Sequence, residues 1–162
     1  QLALAATPLV RFANAETKAL NKKHEDDIVA RAGLDQRLAD LDAMRVDMQM
    51  IKPQPPQCYY ALPIEIAVEA ARITNDGIAE FVARKPDRLK GFGSVPMPDG
   101  NAAATELERC VAELGFKGVQ ILTNVNGTEL SDPTFAPFWT QAEALGARTV
   151  QRRYRGQGEP PA

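Results

Sequence analysis

Residues 107–145, LERCVAELGFKGVQILTNVNGTELSDPTFAPFWTQAEAL, decide the fold class because they read as a helix, a strand, a loop and a helix in succession. The spacing of apolar residues predicts a first helix over 102–114. The apolar run over 116–122 predicts a strand in a sheet covered by helices. A second helix follows over 134–146, so this segment is one unit of a pattern in which strands alternate with helices.

The same alternation extends toward the amino terminus. Apolar spacing predicts a helix over 34–44 and the longest helix of the chain from Ile64, whereas alternating polarity predicts a strand over 46–51. Four prolines in KPQPPQCYYALP make 52–63 a loop. A short strand, LKGFGSVP, follows over 89–96. The longest helix is expected to bury two rows, Ile66, Ala70, Ile73, Gly77 and Phe81, and Ala67, Ala71, Ile78 and Val82.

Strands that alternate with helices predict an α/β fold with parallel strands and right-handed crossovers. Ligands in such folds bind at the loops that follow the carboxyl ends of the strands. Three loops, 52–62, 96–100 and 123–132, would therefore share one face. They carry the substrate-side candidates, Tyr59, Tyr60, Asn124 and Asn126, which suit an aromatic or carboxylated small molecule. The alternative is that these asparagines and tyrosines are ordinary turn and loop residues.

Composition and charge narrow the function classes. The chain has 162 residues, 44% of them hydrophobic and 25% charged, and a formal net charge of -2, which predicts one soluble domain and no nucleic-acid partner. No apolar run reaches the length of a membrane helix and no secretory signal begins the chain, so the expected location is the cytoplasm. Cys58 and Cys110 belong to no CxxC pair. The single histidine, His24, lies in NKKHEDD and is expected to be solvated rather than a metal ligand.

Four blocks of sequence occur in the order found in one enzyme family. They are RLADLDAMRVDMQMIKPQPPQCYY (37–60), NDGIAEFVARKPDRLKGFGSVPM (75–97), ELERCVAELGFKGVQILTNVNG (106–127) and LSDPTFAPFWTQAEALGA (130–147). Over about residues 35–147 the chain resembles the amidohydrolase-related family that contains aminocarboxymuconate-semialdehyde decarboxylase. The resemblance implies a partial (β/α)8 TIM barrel, made of the second to fourth strands with their helices.

The resemblance also implies a chemistry. Family members hold a divalent metal, usually zinc, and decarboxylate or hydrolyse small carboxylated substrates, often derived from aromatics. Their first strand carries HxH and their fifth ends in His-Pro, but this chain has LALAATPLV and RTVQRRYRG there. No catalytic or metal-binding residue of the family can be carried onto this chain, and zinc needs about three protein ligands. We therefore expect the isolated chain to bind no metal and to be inactive.

The sequence divides into three segments. Residues 1–33 are expected to be irregular or weakly helical, 34–147 to form the partial barrel, and 148–162 to be a basic, disordered tail. The change of composition after Gly146 suggests a shifted reading frame or a truncated gene. Arg45 also departs from the family, which usually has glycine at this corner between helix and strand.

Two function classes follow from these features. The first is a fragment of a metal-dependent carboxy-lyase or hydrolase whose catalytic groups are missing. The second is a non-catalytic half-barrel that binds a ligand or a partner. Because a closed barrel typically takes about 250 residues, open sheet edges would favour self-association or a completing chain. A flavodoxin-like domain is a third alternative, for which no phosphate-binding glycine loop is present.

Overall fold

The structure, a computed structural model, describes residues 33–152. The expectations for 1–32 and for 153–162 lie outside the described residues. The chain divides into two compact units, Gln1–Met48 and Gln49–Ala162.

The described part of the first unit is a helix and the turn that ends it. Helix α1 spans Leu34–Ala43 and buries Leu41. The chain leaves α1 through Arg45, which has a left-handed φ of 56°, and the N–H of Val46 donates to the carbonyl of Leu41 at 2.8 Å. A side chain in this conformation is disfavoured relative to glycine by roughly 1 kcal/mol, which explains why glycine is expected at this corner.

The second unit is built on parallel strands. Its strands are β1 (Gln49–Ile51), β2 (Leu89–Gly91), β3 (Gly93–Ser94), β4 (Gly118–Leu122), β5 (Asn124–Val125), β6 (Thr128–Glu129) and β7 (Arg148–Arg152). β1 pairs with β2, and β4 pairs with β3 and β7, all in parallel. β2 and β3 are two halves of one strand, separated by Phe92, whose N–H donates to the carbonyl of Ile51 at 2.8 Å.

Neighbouring parallel strands therefore follow one another in chain order. This is the arrangement of a (β/α)8 barrel, whereas a flavodoxin-like sheet places its first strand between the second and the third. The prediction of a partial barrel is confirmed. β1 is shorter than predicted, since it begins at Gln49 rather than at residue 46.

Helices connect the parallel strands. They are α2 (Ile64–Ala83), α3 (Gly100–Glu108), which continues as a wider π-helical turn (Arg109–Glu113), and α4 (Ala136–Ala144). α2 joins β1 to β2, α3 joins β3 to β4, and α4 lies between β4 and β7 along the chain. Among residues 33–152, no helix combines the length and apolar character needed to cross a membrane.

The core lies between the sheet and its helices. A Cβ on Gly93 would lie 2.6 Å from Sγ of Cys110 in the π-helical turn, so Gly93 faces the helices. Val119 is its partner in β4, whereas Gln120 is the partner of Ser94 on the opposite face. A closed barrel turns that opposite face inward. The core includes Leu107, Cys110, Phe116, Val119, Ile121, Phe135, Phe138 and Ala142.

The burial of α2 differs from the prediction of two buried rows. Its buried residues are Ala67, Ala71, Asn75 and Ile78. Ile66 and Ile73, from the other row, are 45% and 57% exposed. A helix buries only the residues that directly face its sheet. The prediction from the wide apolar stripe therefore overestimated how much of the surface of α2 contacts the sheet.

The start of the basic tail also differs from expectation. Its first five residues form β7 along β4 instead of being disordered. Backbone hydrogen bonds do not require apolar side chains, and the β-branched Thr149 and Val150 favour a strand. Charged residues such as Arg148 are tolerated on a strand at the end of a sheet. β7 occupies the place of the fifth barrel strand without the apolar run expected there.

The close approach of β7 to β4 depends on Gly118. Gly118 has a φ of 151°, and a Cβ there would overlap the carbonyl oxygen of Arg148. We predict that Gly118→Ala lowers the free energy of unfolding by more than about 2 kcal/mol and removes hydrogen-exchange protection from 148–152. Exchange mass spectrometry and urea unfolding measure the two effects.

Gly77→Ala is the matched control, because a Cβ on Gly77 would meet nothing within 4 Å. In the middle of α2 this change should stabilise the chain by roughly 0.5–1 kcal/mol and leave the exchange of 148–152 unchanged. Full protection of 148–152 in the Gly118→Ala variant would contradict the pairing of β7 with β4.

Candidate functional site

The carboxyl ends of the parallel strands lie at one edge of the sheet. Parallel strands point the same way, so the residues that end or follow them come together, and ligands of α/β proteins bind there. We call this region the carboxyl edge. Its members are Lys52, Cys58, Tyr60 and Ser94, together with Gln120 from the middle of β4, whose side chain contacts Lys52.

Gln120 links β4 to the loop that follows β1. Its side chain is 0% exposed. Its Oε1 accepts a hydrogen bond from Nζ of Lys52 at 2.6 Å, and its Nε2 donates to the carbonyl of Pro53 at 3.0 Å. β1 and β4 are not neighbours, so this amide reaches across the strand between them. The half-buried Lys52 is thereby held at the carboxyl edge.

Ser94 fixes the next turn of the same loop, in which Cys58 is buried. Oγ of Ser94 donates to the carbonyl of Gln57 at 2.8 Å, inside a short 3-10 helix, Pro55–Cys58. Burial raises the pKa of the Cys58 thiol to about 11, although a hydrogen bond with Gln120 and the charge of Lys52 oppose this rise. The thiol is therefore neutral at physiological pH and is a poor nucleophile.

Two of the four candidates predicted from the sequence connect this loop to β4 and to the hairpin of β5 and β6. Tyr60 is 3% exposed, and its hydroxyl oxygen accepts from the N–H of Leu122 at 3.4 Å. Burial raises the pKa of Tyr60 well above its ordinary value, so the phenol stays protonated. Asn126, left-handed with a φ of 52°, donates from Nδ2 to the carbonyl of Tyr60 at 2.6 Å. Tyr60 and Asn126 thus tie the hairpin of β5 and β6 to the loop.

The other two candidates make local contacts. The hydroxyl of Tyr59 lies 3.0 Å from Oγ1 of Thr74, so it is directed toward α2. Oδ1 of Asn124 accepts from the N–H of Gly127 at 3.3 Å, within the antiparallel hairpin. Both contacts agree with ordinary loop and turn roles. A role of Tyr59 or Asn124 in binding a ligand stays a prediction.

A buried polar network supports Ser94 from the helix side. Oδ1 of Asn75 accepts from the N–H of Ser94 at 2.7 Å, and its Nδ2 donates to the carbonyl of Ser94 at 2.8 Å. Nδ2 also donates to Oε1 of Glu106 at 2.7 Å. Arg109 binds Glu106 through Nη2 at 2.8 Å and Asp76 through Nη1 at 2.7 Å. Asn75 takes the place of a strand partner for the backbone of Ser94, because β1 does not pair with β3. The network therefore positions Ser94 and the 3-10 turn that the Ser94 hydroxyl contacts.

The described residues do not fit the divalent metal implied by the family resemblance. Among residues 33–152, no group of three or more His, Cys, Asp or Glu could hold a metal ion. The carboxyl edge offers an ammonium group, an amide, two hydroxyls and a neutral thiol, whereas zinc prefers imidazole, thiolate and carboxylate. His24 lies outside the described residues, and its predicted solvation is untested.

Lys52 and Gln120 were not among the candidates predicted from the sequence. Gln120 is the polar residue within the buried strand GVQIL, and Lys52 is the first residue after a predicted strand. These are the two signals that could have identified them. The sequence does not show that they meet, because their contact depends on the order and register of strands far apart in the chain.

Asn75 provides a test of the buried network. We predict that Asn75→Leu lowers the free energy of unfolding by about 2–4 kcal/mol, because it leaves the buried backbone N–H and carbonyl of Ser94 without their side-chain partner and removes one donor from the buried carboxylate of Glu106. Urea unfolding followed by the fluorescence of Trp139 measures the loss.

Asp76→Asn is the control, since Asp76 contacts the same network through Arg109 but is 61% exposed. Its effect should stay below about 1 kcal/mol, as for other exposed ion pairs. Equal losses in the two variants would contradict the structural role of Asn75.

The buried thiols predict a loss of stability at alkaline pH. Burial raises the pKa of Cys58 from 9.0 to about 11 and that of Cys110 from 9.0 to about 12. The folded state binds these protons more tightly, so the stability they contribute is complete below pH 9 and is lost as pH rises through 11 and 12. Urea unfolding between pH 8 and pH 11 should show this fall, with a smaller slope for Cys58→Ala. A constant free energy of unfolding over that range would disprove the prediction.

Comparison with known proteins identifies the family. The family model for amidohydrolases matches residues 19–148. The chain is 39% identical over 113 residues to 2-amino-3-carboxymuconate-6-semialdehyde decarboxylase of Dictyostelium discoideum, covering 70% of this chain and 32% of that protein. It is 36% identical over 124 residues to gamma-resorcylate decarboxylase of Rhodococcus jostii, covering 68% and 36%. The chain thus spans about a third of the length of these relatives.

Solved structures agree with this assignment. The structure of 2,6-dihydroxybenzoate decarboxylase from Rhizobium matches with a TM-score of 0.67 and 33% identity, over 72% of this chain and 38% of that one. A dihydroxybenzoic acid decarboxylase from Polaromonas, with bound manganese and 2-nitroresorcinol, matches with a TM-score of 0.70 and 30% identity, over 75% and 39%. The chain therefore belongs to the amidohydrolase family, and its described strands form part of a (β/α)8 barrel.

Proposed function

We propose that this chain forms the substrate-binding side of a metal-dependent decarboxylase that acts on a small aromatic carboxylate. The observation that carries the proposal is the carboxyl edge, where Lys52 and Tyr60, on the loop after β1, contact Gln120 and Leu122 of β4. The names of several relatives support decarboxylation of aromatic or muconate-type acids. Hydrolysis of a similar carboxylated substrate is the alternative reaction.

The substrate would lie between the loop 52–62 and the hairpin of β5 and β6. That position brings it beside Tyr59, Tyr60, Asn124 and Asn126, the four loop residues expected from the sequence. The hydrogen bond from Asn126 to the carbonyl of Tyr60 supports this placement, because it joins the two segments that would form the walls.

The divalent metal of the proposed reaction would not be held by residues 33–152, which offer no group of metal ligands. Two solved relatives contain manganese, which supports a divalent ion in the family, and zinc stays the expectation from the resemblance. The ion would supply Lewis acidity once bound. The part of the chain described by the structure would contribute orientation of the substrate rather than metal ligands.

A second proposal is a non-catalytic half-barrel that binds a ligand or a partner. The observation in its favour is the lack of a metal-ligand group among residues 33–152. β1 and β7 end the described sheet, and a strand at the end of a sheet leaves backbone groups that another strand can pair with. Self-association or a completing chain therefore belongs to both proposals. The cytoplasm stays the predicted location.

Ligand mapping on the purified 162-residue chain tests the first proposal. Addition of 2,6-dihydroxybenzoate should shift backbone amide NMR signals of 52–62 and 123–130, while signals near Gly77 on the outer face of α2 serve as the internal control. We expect no release of carbon dioxide and no stoichiometric manganese or zinc by elemental analysis. Size-exclusion chromatography should show an oligomer.

The opposing results are distinct. Stoichiometric metal together with turnover would show that the chain is catalytic alone. A stable, metal-free oligomer with no shifts at the carboxyl edge would favour the half-barrel that binds a partner. A compact monomer that melts cooperatively would contradict the expected association through open sheet edges.

A further inference from the structure

We propose that a groove at the amino ends of β2 and β4 binds a small carboxylate with an unsubstituted apolar body, such as a short-chain fatty acid. The groove lies at the edge of the sheet opposite the carboxyl edge, so this site goes beyond the proposed function. It has a volume of about 190 Å³ and runs between the end of α2 and the end of the π-helical turn. Its apolar lining includes Ala79, Val82, Ala83, Leu89, Leu114 and Phe116.

The floor of the groove is a buried part of the core. Leu89 and Phe116 are 1% and 2% exposed. A Cβ on Gly91 would overlap the ring of Phe116, so a glycine at this position lets the ring lie against β2. The walls and the floor all come from residues 79–116, which belong to the second unit. The groove is therefore complete without any further strand of a barrel.

The lining determines the body of the ligand. An apolar cavity of about 150 Å³ holds a benzene ring, so this groove has room for a chain of about six carbons. Apart from Lys90, the side chains that line it are apolar. A hydroxyl on the ligand would find no side-chain partner there, and burial of an unpaired hydroxyl is unfavourable. The groove thus selects an unsubstituted chain over a dihydroxybenzoate.

The charge around the groove determines the head group. Nζ of Lys90 donates to the carbonyl of Pro86, another lining residue, at 2.7 Å, so the ammonium lies at the rim. In the part of the chain that the structure describes, this is the only polar contact of the Lys90 side chain. An ammonium has three donors, so two are available to a carboxylate.

The surroundings of Lys90 are also positive. Segment 84–90, RKPDRLK, has four basic residues and one acidic residue. The acidic residue, Asp87, pairs with Lys85 at 3.4 Å. This excess of positive charge opposes the negative potential at the end of α2 and attracts an anion to the rim.

Titration with an acid and its neutral isostere tests the site. The probes are hexanoate and hexanamide, which have nearly the same shape but differ in charge. On the full 162-residue chain, both should produce saturable shifts in the backbone amide NMR signals of 79–91 and 114–117. Hexanoate should bind about three- to tenfold more tightly, as expected for one charge-assisted hydrogen bond at a partly exposed site. Signals of 52–62 and 123–130, at the carboxyl edge, are the internal control.

Lys90→Gln assigns the preference for the acid. It should remove this preference and leave the dissociation constant of hexanamide unchanged. Lys117→Gln is the matched control, because this exposed lysine precedes β4 at the same edge of the sheet but does not line the groove. It removes the same charge and should leave both dissociation constants unchanged.

Ala83→Phe tests the groove itself. Ala83 is exposed, lines the groove and is the last residue of α2, so a ring there should occupy the space of the ligand. Both probes should bind at least about tenfold more weakly. Ala144→Phe is the control, since Ala144 is an exposed alanine at the end of α4, outside the groove. Near-UV circular dichroism checks folding, and Ala83→Leu takes the place of Ala83→Phe if that variant does not fold.

The outcomes separate this inference from the proposed function. Equal binding of the two probes by the wild type, or a preference that persists in Lys90→Gln, overturns the role of Lys90. The absence of saturable shifts at 79–91, or unchanged binding by the Ala83 variant, overturns the site. If Lys90→Gln does not fold, the wild-type preference and the Ala83 variant decide. The proposed function survives each of these results, because it concerns another ligand at the carboxyl edge.

Discussion

Hydrogen bonding along both edges of β4 is the constraint on which the second unit depends. β4 lies between β3 and β7, all five of its residues are buried, and its first residue is a glycine because β7 approaches the backbone there. Helices can cover one face of this strand only because its odd-numbered residues are apolar. The even-numbered face is then available for Gln120, whose amide reaches back to the loop after β1. Core and candidate site are therefore the two faces of one strand.

Buried polar groups hold this arrangement at the points where the sheet ladder ends. Asn75 satisfies the backbone of Ser94 beyond the end of β1, and Gln120 satisfies the carbonyl of Pro53 in a loop rich in proline. Each amide uses both its donor and its acceptor, which limits it to one orientation. The same contacts that satisfy buried backbone groups also fix the loop on which Tyr60 and Lys52 lie. The residues that stabilise this unit are therefore also the residues that fix the geometry of the candidate site.

Much of the fold could be predicted from periodicity. The helices near 34–44, 64–83 and 134–146 and the buried strand ending at Leu122 follow from local spacing, which reports the face that a residue presents to the core. The exposed Ile66 and Ile73 on α2, and the strand formed by Arg148–Arg152, were not predicted correctly. Local pattern cannot say how much of a helix faces its sheet. It also cannot detect a strand held by the backbone of its neighbour.

The sequence by itself determined the family, the parallel strand and helix alternation, and the loops that form the carboxyl edge, because these depend on residue types and on spacing along the chain. Only the tertiary structure decided that Lys52 meets Gln120, that Tyr59 turns toward α2 while Tyr60 reaches β4, and that Asn75 completes the end of β3. These contacts join residues separated by 15 to 68 positions. Their existence depends on strand order and register, which periodicity does not encode.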